Sequence, residues 1–311
     1  MFKNNPKHLL ELTKTDAEKW LNSFDTILTD CDGVLWHEGI AIDGVPEAIA
    51  LLKARGKQIY FVTNNGIKTR RDIWQTATSI GYDIPETRII APIHAIVEYL
   101  QARNFRKKVY IIGAEAIRQE LTEAGIESFG PGPDILQGKL SDYIAQQVAA
   151  QSTDEVGAVI VGFDEHITFP KMLKASNFLG SNAACLFMTT NTDAVHRYPE
   201  FRIPGTGALL SALETTVGRK ALQFGKPNPG ICEELIKSGR LVAERTLMIG
   251  DVCKVDILFG HNCGFQTLLV GTGHNSAYEL DEVLQTPGEN QHYYVPDFFI
   301  PSLGNLTELI S

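Results

Sequence analysis

Thr26-Ile27-Leu28-Thr29-Asp30-Cys31-Asp32-Gly33-Val34-Leu35-Trp36 is the stretch on which the fold turns. Its opening run, Thr26–Leu28, does not alternate polar with apolar, which suits a parallel strand covered on both faces. Two carboxylates follow at once. In an open parallel sheet, ligands settle beyond the carboxyl ends of the strands, and Asp30 stands at such an end. Asp32, two residues on, can aim back into the same crevice once the chain leaves the strand. Gly33 permits a backbone conformation that other residues resist. Carboxylates this close repel unless a cation sits between them or one holds a proton. Taken alone, Asp-x-Asp-Gly also reads as a turn, because Asp and Gly are frequent turn formers.

Outward from this stretch the same grammar repeats. Gln58–Val62, Val109–Ile112, Ala158–Val161, Cys185–Met188, Thr246–Ile249, Thr267–Val270 and Asp297–Ile300 are further strand candidates. The segments between them read as helices. Pro46 suits the first turn of a helix ending near Arg55, with Gly56 just past it. Thr15-x-x-Glu18 has capping-box spacing. Strand–helix alternation predicts an α/β fold with a parallel sheet. A chain of 311 residues suggests about two domains at roughly 100–200 residues each. Gln101–Lys108 and Gly218–Lys220 are the candidate boundaries, and Phe129–Gly138, rich in Gly and Pro, reads as a loop.

Composition excludes several classes. Lys plus Arg is 28 against 37 Asp plus Glu, a net charge of −9, so bulk charge attracts neither nucleic acid nor an anionic membrane. No stretch of 18 apolar residues exists for a spanning helix. Met1–Ser23 lacks an apolar signal core, and Glu11, Asp16 and Glu18 speak against a transit peptide. The five cysteines form no C-x-x-C pair, so neither a disulfide framework nor a thiolate zinc site is signalled. The expected compartment is the cytoplasm.

Three more motifs stand at predicted strand ends. Thr63-Asn64-Asn65-Gly66 offers a hydroxyl, amides and backbone N–H groups that can hold an oxyanion. Lys226, in Gly225-Lys226-Pro227, can neutralise phosphate or the charge of a nucleophile. Asp251, after Gly250, can join Asp30 and the backbone carbonyl of Asp32 around Mg²⁺, which takes carboxylate oxygens and keeps several waters. Asp256 reads either as support for that set or as a carboxylate at a helix N-terminus. Together they bring a nucleophile, an anion cradle, a cation and metal ligands to one edge of a sheet.

This set resembles the haloacid dehalogenase superfamily of aspartate-nucleophile phosphatases. It is most similar to the capped branch of phosphoglycolate phosphatase, pyridoxal phosphate phosphatase (chronophin) and the 4-nitrophenylphosphatases. The matching stretches are Asp30–Trp36, Val62–Asn65, Val161–His166, Pro204–Gly207, Gly225–Pro227, Thr246–Asp251 and Asp256–His261. The resemblance implies a Rossmann-like hydrolase core of residues 1–106 and 222–311, and an inserted α/β cap of 107–221. It implies that Asp30 attacks phosphorus and that Asp32 protonates the leaving oxygen and then activates water. Thr63, Asn64 and Asn65 would hold phosphoryl oxygens and Lys226 would steady their charge. Asp30, Asp32 and Asp251 would bind Mg²⁺, with Asp256 behind them.

The implied substrate is a small phosphorylated metabolite: phosphoglycolate, glycerol 3-phosphate, pyridoxal phosphate or an isoprenyl phosphate. The loop Asp193–Tyr198, and His196 in it, would read the substrate, and a homodimer through the cap is expected. Gly66 replaces the usual Ser, and Val255 replaces a Thr. Lys254 brings a cation toward the metal loop. Cys31 and Cys253 read as small buried residues. Two enzyme-free or distant readings compete. A non-catalytic phosphate-binding protein would lack Asp30, Asp32 or Asp251, and all three are present. A dinucleotide site at Gly205-Thr206-Gly207 lacks its third glycine, since Leu210 stands there.

Overall fold

Three adjacent parallel strands carry the motifs: Gln58–Val62, Thr26–Thr29 and Thr246–Gly250, with Thr26–Thr29 in the middle. The computed structural model describes residues 6–148, 153–197, 201–273, 276–285 and 291–310. These fall into two compact units. The first comprises residues 1–63, 71–90 and 226–311, and the second 64–70 and 91–225. No helix among the described residues is long and apolar enough to cross a membrane.

The first unit holds a seven-stranded, wholly parallel sheet. Its order is Lys7–His8, Phe298–Ile300, Gln266–Val270, Thr246–Gly250, Thr26–Thr29, Gln58–Val62 and Ile89–Ile90. From Thr26–Thr29 the chain first builds outward on one side and later, from Thr246 on, on the other. The strand order therefore reverses between Thr26–Thr29 and Thr246–Gly250, which is where open α/β sheets bind ligands. Register aligns the three central strands. Thr29 pairs with both Phe61 and Ile249, so Asp30, Thr63 and Asp251 leave neighbouring carboxyl ends. Ile27, Leu28, Leu247, Met248 and Ile249 are wholly buried, as strands covered on both faces require.

All eight apolar runs are strands, with ends shifted by a residue or two. Pro46 lies in the first turn of the helix Val45–Ala54, and Gly56 adopts φ +80° just beyond it. The capping box does not form at Thr15. Helix Lys14–Leu21 starts earlier, because Thr13 Oγ1 accepts from Asp16 N at 3.2 Å. The Thr13 hydroxyl also donates to Asp16 Oδ2 at 2.8 Å, which leaves Thr15 inside the helix.

The second unit has its own five-stranded parallel sheet, ordered Leu222–Gln223, Leu186–Thr189, Val156–Val161, Lys108–Ile112 and Ser128–Phe129. Tyr110, Phe178 and Phe187 pack in its core. The segment expected as a loop at 193–198 is not one throughout. Val195–Arg197 is a strand paired antiparallel with Arg202–Pro204. Its polar side chains hide the strand period, and the pairing comes from the partner. Beneath this unit's sheet, Lys171 Nζ meets Asp164 Oδ2 at 2.6 Å, with side chains 0% and 2% exposed.

Removing one partner of a buried pair strands the other charge, typically at a cost of about 3–5 kcal/mol. Asp164→Ala should therefore destabilise the second unit by about that much. The double variant Asp164→Leu/Lys171→Met should lose far less. Urea and thermal unfolding of the three proteins check this; equal losses for single and double variants would assign the effect to packing alone.

Candidate active site

Lys226 organises the site in the first unit. Its side chain is 1% exposed, and Nζ lies 2.8 Å from Asp30 Oδ1, 2.7 Å from Asp256 Oδ1 and 3.2 Å from the Val62 carbonyl. Burial works against its charge, but attraction to Asp256 and Asp30 outweighs burial and holds its pKa above the ordinary lysine range. The lysine sequence motif thus closes onto the carboxyl ends of the central strands.

Asp30 is fixed by register and by its own turn. Its backbone N–H donates to Ile249 at 2.8 Å, continuing the sheet by one bond. Its Oδ1 accepts from Cys31 N at 2.7 Å as well as from Lys226. Burial, offset by Lys226 and reinforced by Asp256, pushes its pKa up to about 7. Asp251 rises to about 9, from burial first and then from the Asp256 and Asp30 charges.

Asp256 sits in a π-helical turn, Cys253–Ile257. Its Oδ2 accepts from Asp251 N at 3.2 Å and Val252 N at 3.1 Å, while Oδ1 faces Lys226. The Asp256 carboxylate therefore braces the backbone that carries Asp251. Asp256 thus accepts N–H groups just ahead of the helical segment that carries it.

The donor set fits a hard divalent cation. Carboxylate oxygens of Asp30, Asp251 and Asp256 lie within 4.8 Å of one another, and oxygen donors are what Mg²⁺ takes. Gly33 leaves the space open. At φ +87°, a Cβ there would stand 2.5 Å from Asp251 Oδ2. Acidic groups held this close, with the pKa values of Asp30 and Asp251 raised, are what a cation relieves. The Asp32 carboxylate is not part of that cluster: it is exposed, and its Oδ1 accepts from the indole Nε1 of Trp36 at 2.9 Å.

Thr63 ends its strand buried at 4% exposure, with its N–H donating to Ile90. Asn64 and Asn65 group with the second unit. There the Asn64 carbonyl accepts from Asn191 Nδ2 at 3.2 Å. Asn65 Oδ1 accepts from Ile67 N and Lys68 N at 3.1 and 3.0 Å, which folds the loop back on itself. Gly66 has a steric reason: a Cβ there would stand 2.9 Å from Thr190 Oγ1, so a serine would press on that residue. His196 lies on the strand Val195–Arg197; its side chain, that of Arg197, and all of Tyr198 fall outside the described residues.

Lys254 is more than half exposed and lies 3.5 Å from Glu282 Oε1. Cys31 and Cys253 are fully buried, and burial, then the Asp30 and Asp32 charges, hold the Cys31 thiol well above its ordinary pKa. Trp36, Thr272 and Asn191 escaped the sequence reading. Thr272 Oγ1 donates to the Gly33 carbonyl at 2.6 Å from 239 residues away, a partnership no local pattern announces.

Known proteins resemble this chain along nearly its whole length. The haloacid dehalogenase-like hydrolase family matches residues 27–127, and a second HAD-hydrolase-like family matches 223–303. Phosphoglycolate phosphatase 1A, chloroplastic, of Arabidopsis thaliana is 35% identical over 303 residues, covering 96% of this chain and 81% of its own. Glycerol-3-phosphate phosphatase of Gallus gallus is 36% identical over 295 residues, covering 93% of each chain. Among solved structures, p-nitrophenyl phosphatase from Archaeoglobus fulgidus superposes with a TM-score of 0.77 at 27% identity, covering 92% of this chain and 99% of that one. With an aspartate at the end of the central strand at the switch point and these relatives matching along nearly its whole length, the chain belongs to the haloacid dehalogenase-like hydrolases and is an enzyme of their phosphatase branch.

Proposed function

We propose that this enzyme hydrolyses small phosphate monoesters of the phosphoglycolate or glycerol 3-phosphate kind through an aspartyl-phosphate at Asp30. The carrying observation is the Asp30–Lys226–Asp256 ion-pair chain at the switch point. Lys226 and Cys31 N both engage Asp30 Oδ1, so Oδ2 is presented for attack. Asp30 bonds to phosphorus as the ester P–O bond breaks, and Asp32 gives its proton to the leaving oxygen. Asp32 then takes a proton from water, which attacks phosphorus and frees phosphate and Asp30. Splitting hydrolysis in this way needs a pre-placed nucleophile and strong charge compensation.

Thr63, Asn64, Asn65 and Lys226 bind the phosphoryl oxygens in this reading. Asp30, the Asp32 carbonyl and Asp251 hold Mg²⁺, which supplies neutralisation of phosphoryl charge when bound. The substrate class rests on the relatives named for phosphoglycolate and glycerol 3-phosphate. The cap in this reading is residues 107–221; it would select the leaving group through His196 and pair two copies. Five free thiols among the described residues suit the cytoplasm.

Asp30→Asn should abolish turnover of a panel of phosphate monoesters while circular dichroism stays native, because an amide is a poor nucleophile. Residual near-wild-type rates would end the covalent reading.

Asp30 and Asp251, raised to about 7 and about 9 from 3.8, make the folded state bind more protons than the unfolded one across that interval. Stability in chelator should therefore fall as pH rises from about 4 toward 9. Mg²⁺ should restore the thermal midpoint at pH 8 and do little at pH 5. A midpoint indifferent to Mg²⁺ at both values would count against cation binding here.

His196→Ala should lower kcat/KM for the best metabolite in the panel and spare 4-nitrophenyl phosphate. Uniform loss, or none, would place substrate choice elsewhere.

A further inference from the structure

Trp36 has no part in the chemistry described so far. It stands four residues beyond Asp32, and its indole Nε1 donates to Asp32 Oδ1 at 2.9 Å. The backbone supports that contact. Asp32 and Trp36 form a β-bridge, and Gly33 N donates to the Trp36 carbonyl at 2.8 Å. Exposure differs sharply across the bond: the indole is 4% exposed, whereas Asp32 faces solvent.

The ring itself is caged. Phe61 and Tyr82 each lie 6.1 Å from it between centroids, and they meet each other edge-on at 5.4 Å. Tyr82 OH donates to the Leu35 carbonyl at 2.8 Å, tying down the residue before Trp36. Trp36 then enters the hairpin Trp36–His37/Ile40–Ala41.

An exposed carboxylate samples several rotamers. A donor on a buried, caged ring selects one of them. Indole N–H donates and never accepts, so the oxygen facing it, Oδ1 here, accepts, and a proton for transfer belongs on the other oxygen, Oδ2. Misplacement of an acid by about 1 Å can cost about a hundredfold in rate.

We propose that Trp36 is a positioning residue for Asp32: its indole N–H fixes the carboxylate so that Oδ2 faces the leaving oxygen. This rests on Asp32 acting as the acid of the proposed phosphatase reaction.

The test compares wild type, Trp36→Phe, Asp32→Asn and the double variant on glycerol 3-phosphate and 4-nitrophenyl phosphate. It reads kcat/KM, which reports only steps through departure of the leaving group. Phe keeps a ring in the cage and deletes the donor. General acid catalysis is typically worth about 10²–10⁴-fold. Asp32→Asn should lose about that much on the alkyl ester and far less on the nitrophenyl ester.

Trp36→Phe should follow the same pattern at smaller size, about ten- to a hundredfold against about threefold or less. In the Asp32→Asn background it should add nothing. Equal losses on both esters, or a further loss in that background, would overturn the proposal and leave Trp36 as packing. If Asp32→Asn itself hits both esters equally, the acid assignment falls, and this inference falls with it. Should Trp36→Phe fail to fold, Tyr82→Phe, which releases the Leu35 carbonyl, should show the same ester preference more weakly; uniform loss there is the overturning result.

Discussion

A single buried ammonium, that of Lys226, decides what the surrounding carboxylates can be. Asp30 and Asp256 both approach within hydrogen-bond distance of it. That cation offsets the repulsion between two carboxylates held this close. Its effect passes along the chain in steps. Asp256, held by Lys226, accepts the N–H groups of Asp251 and Val252. Those bonds fix where Asp251 points. One charge thus works against the burial that raises the pKa of Asp30 and, through Asp256, positions an acid beyond the neighbouring strand.

Sheet register does the rest of the placing. The Asp30 N–H continues the ladder into Ile249, and Thr29 pairs with Phe61 on the other side. A slip of one residue would turn every side chain of Thr26–Thr29 over and aim Asp30 away from Lys226. The burial of all four residues of that strand, Ile27 and Leu28 in the middle, is what makes such a slip costly. Packing, through register, is therefore a precondition of the electrostatics. The Asn64–Arg70 segment is governed differently: its bonds run to Asn191 at the end of a strand in the second sheet and to Glu120 on a helix there.

Strands such as Gln58–Val62 and Thr246–Gly250 were legible because buried parallel strands are continuous apolar runs. Lys7–His8, Ile89–Ile90 and Leu222–Gln223 are too short to show any period and owe their state to the neighbour they pair with. Val195–Arg197 was hidden by its polar sequence. The acidic motifs and Lys226 were legible because charged residues at the ends of buried strands are conspicuous. Trp36 was not, because a tryptophan after a turn looks like core, and it is core; only the direction of its N–H gives it a second use. Thr13 displaced Thr15 as the cap because Asp16 answers it, a competition between adjacent candidates that spacing alone does not settle.

The interleaving of the two units along the chain has a consequence for biosynthesis. The central strand Thr26–Thr29 must wait for Thr246–Gly250 before one of its edges is covered, whereas the second sheet takes all its strands from one uninterrupted stretch between Lys108 and Gln223. A ribosome delivers that stretch complete before residue 246 emerges. Domains generally fold as units during synthesis, so the second unit can be finished while the first still shows an open strand edge. Its completion also sets Tyr99 against Phe224, ring centroids 5.1 Å apart, shortening the loop that the first sheet must close. The late half of the chain therefore delivers Lys226, Asp251 and Asp256 to a strand end where Asp30 already waits, and the acidic cluster stays incomplete until the last third has been made.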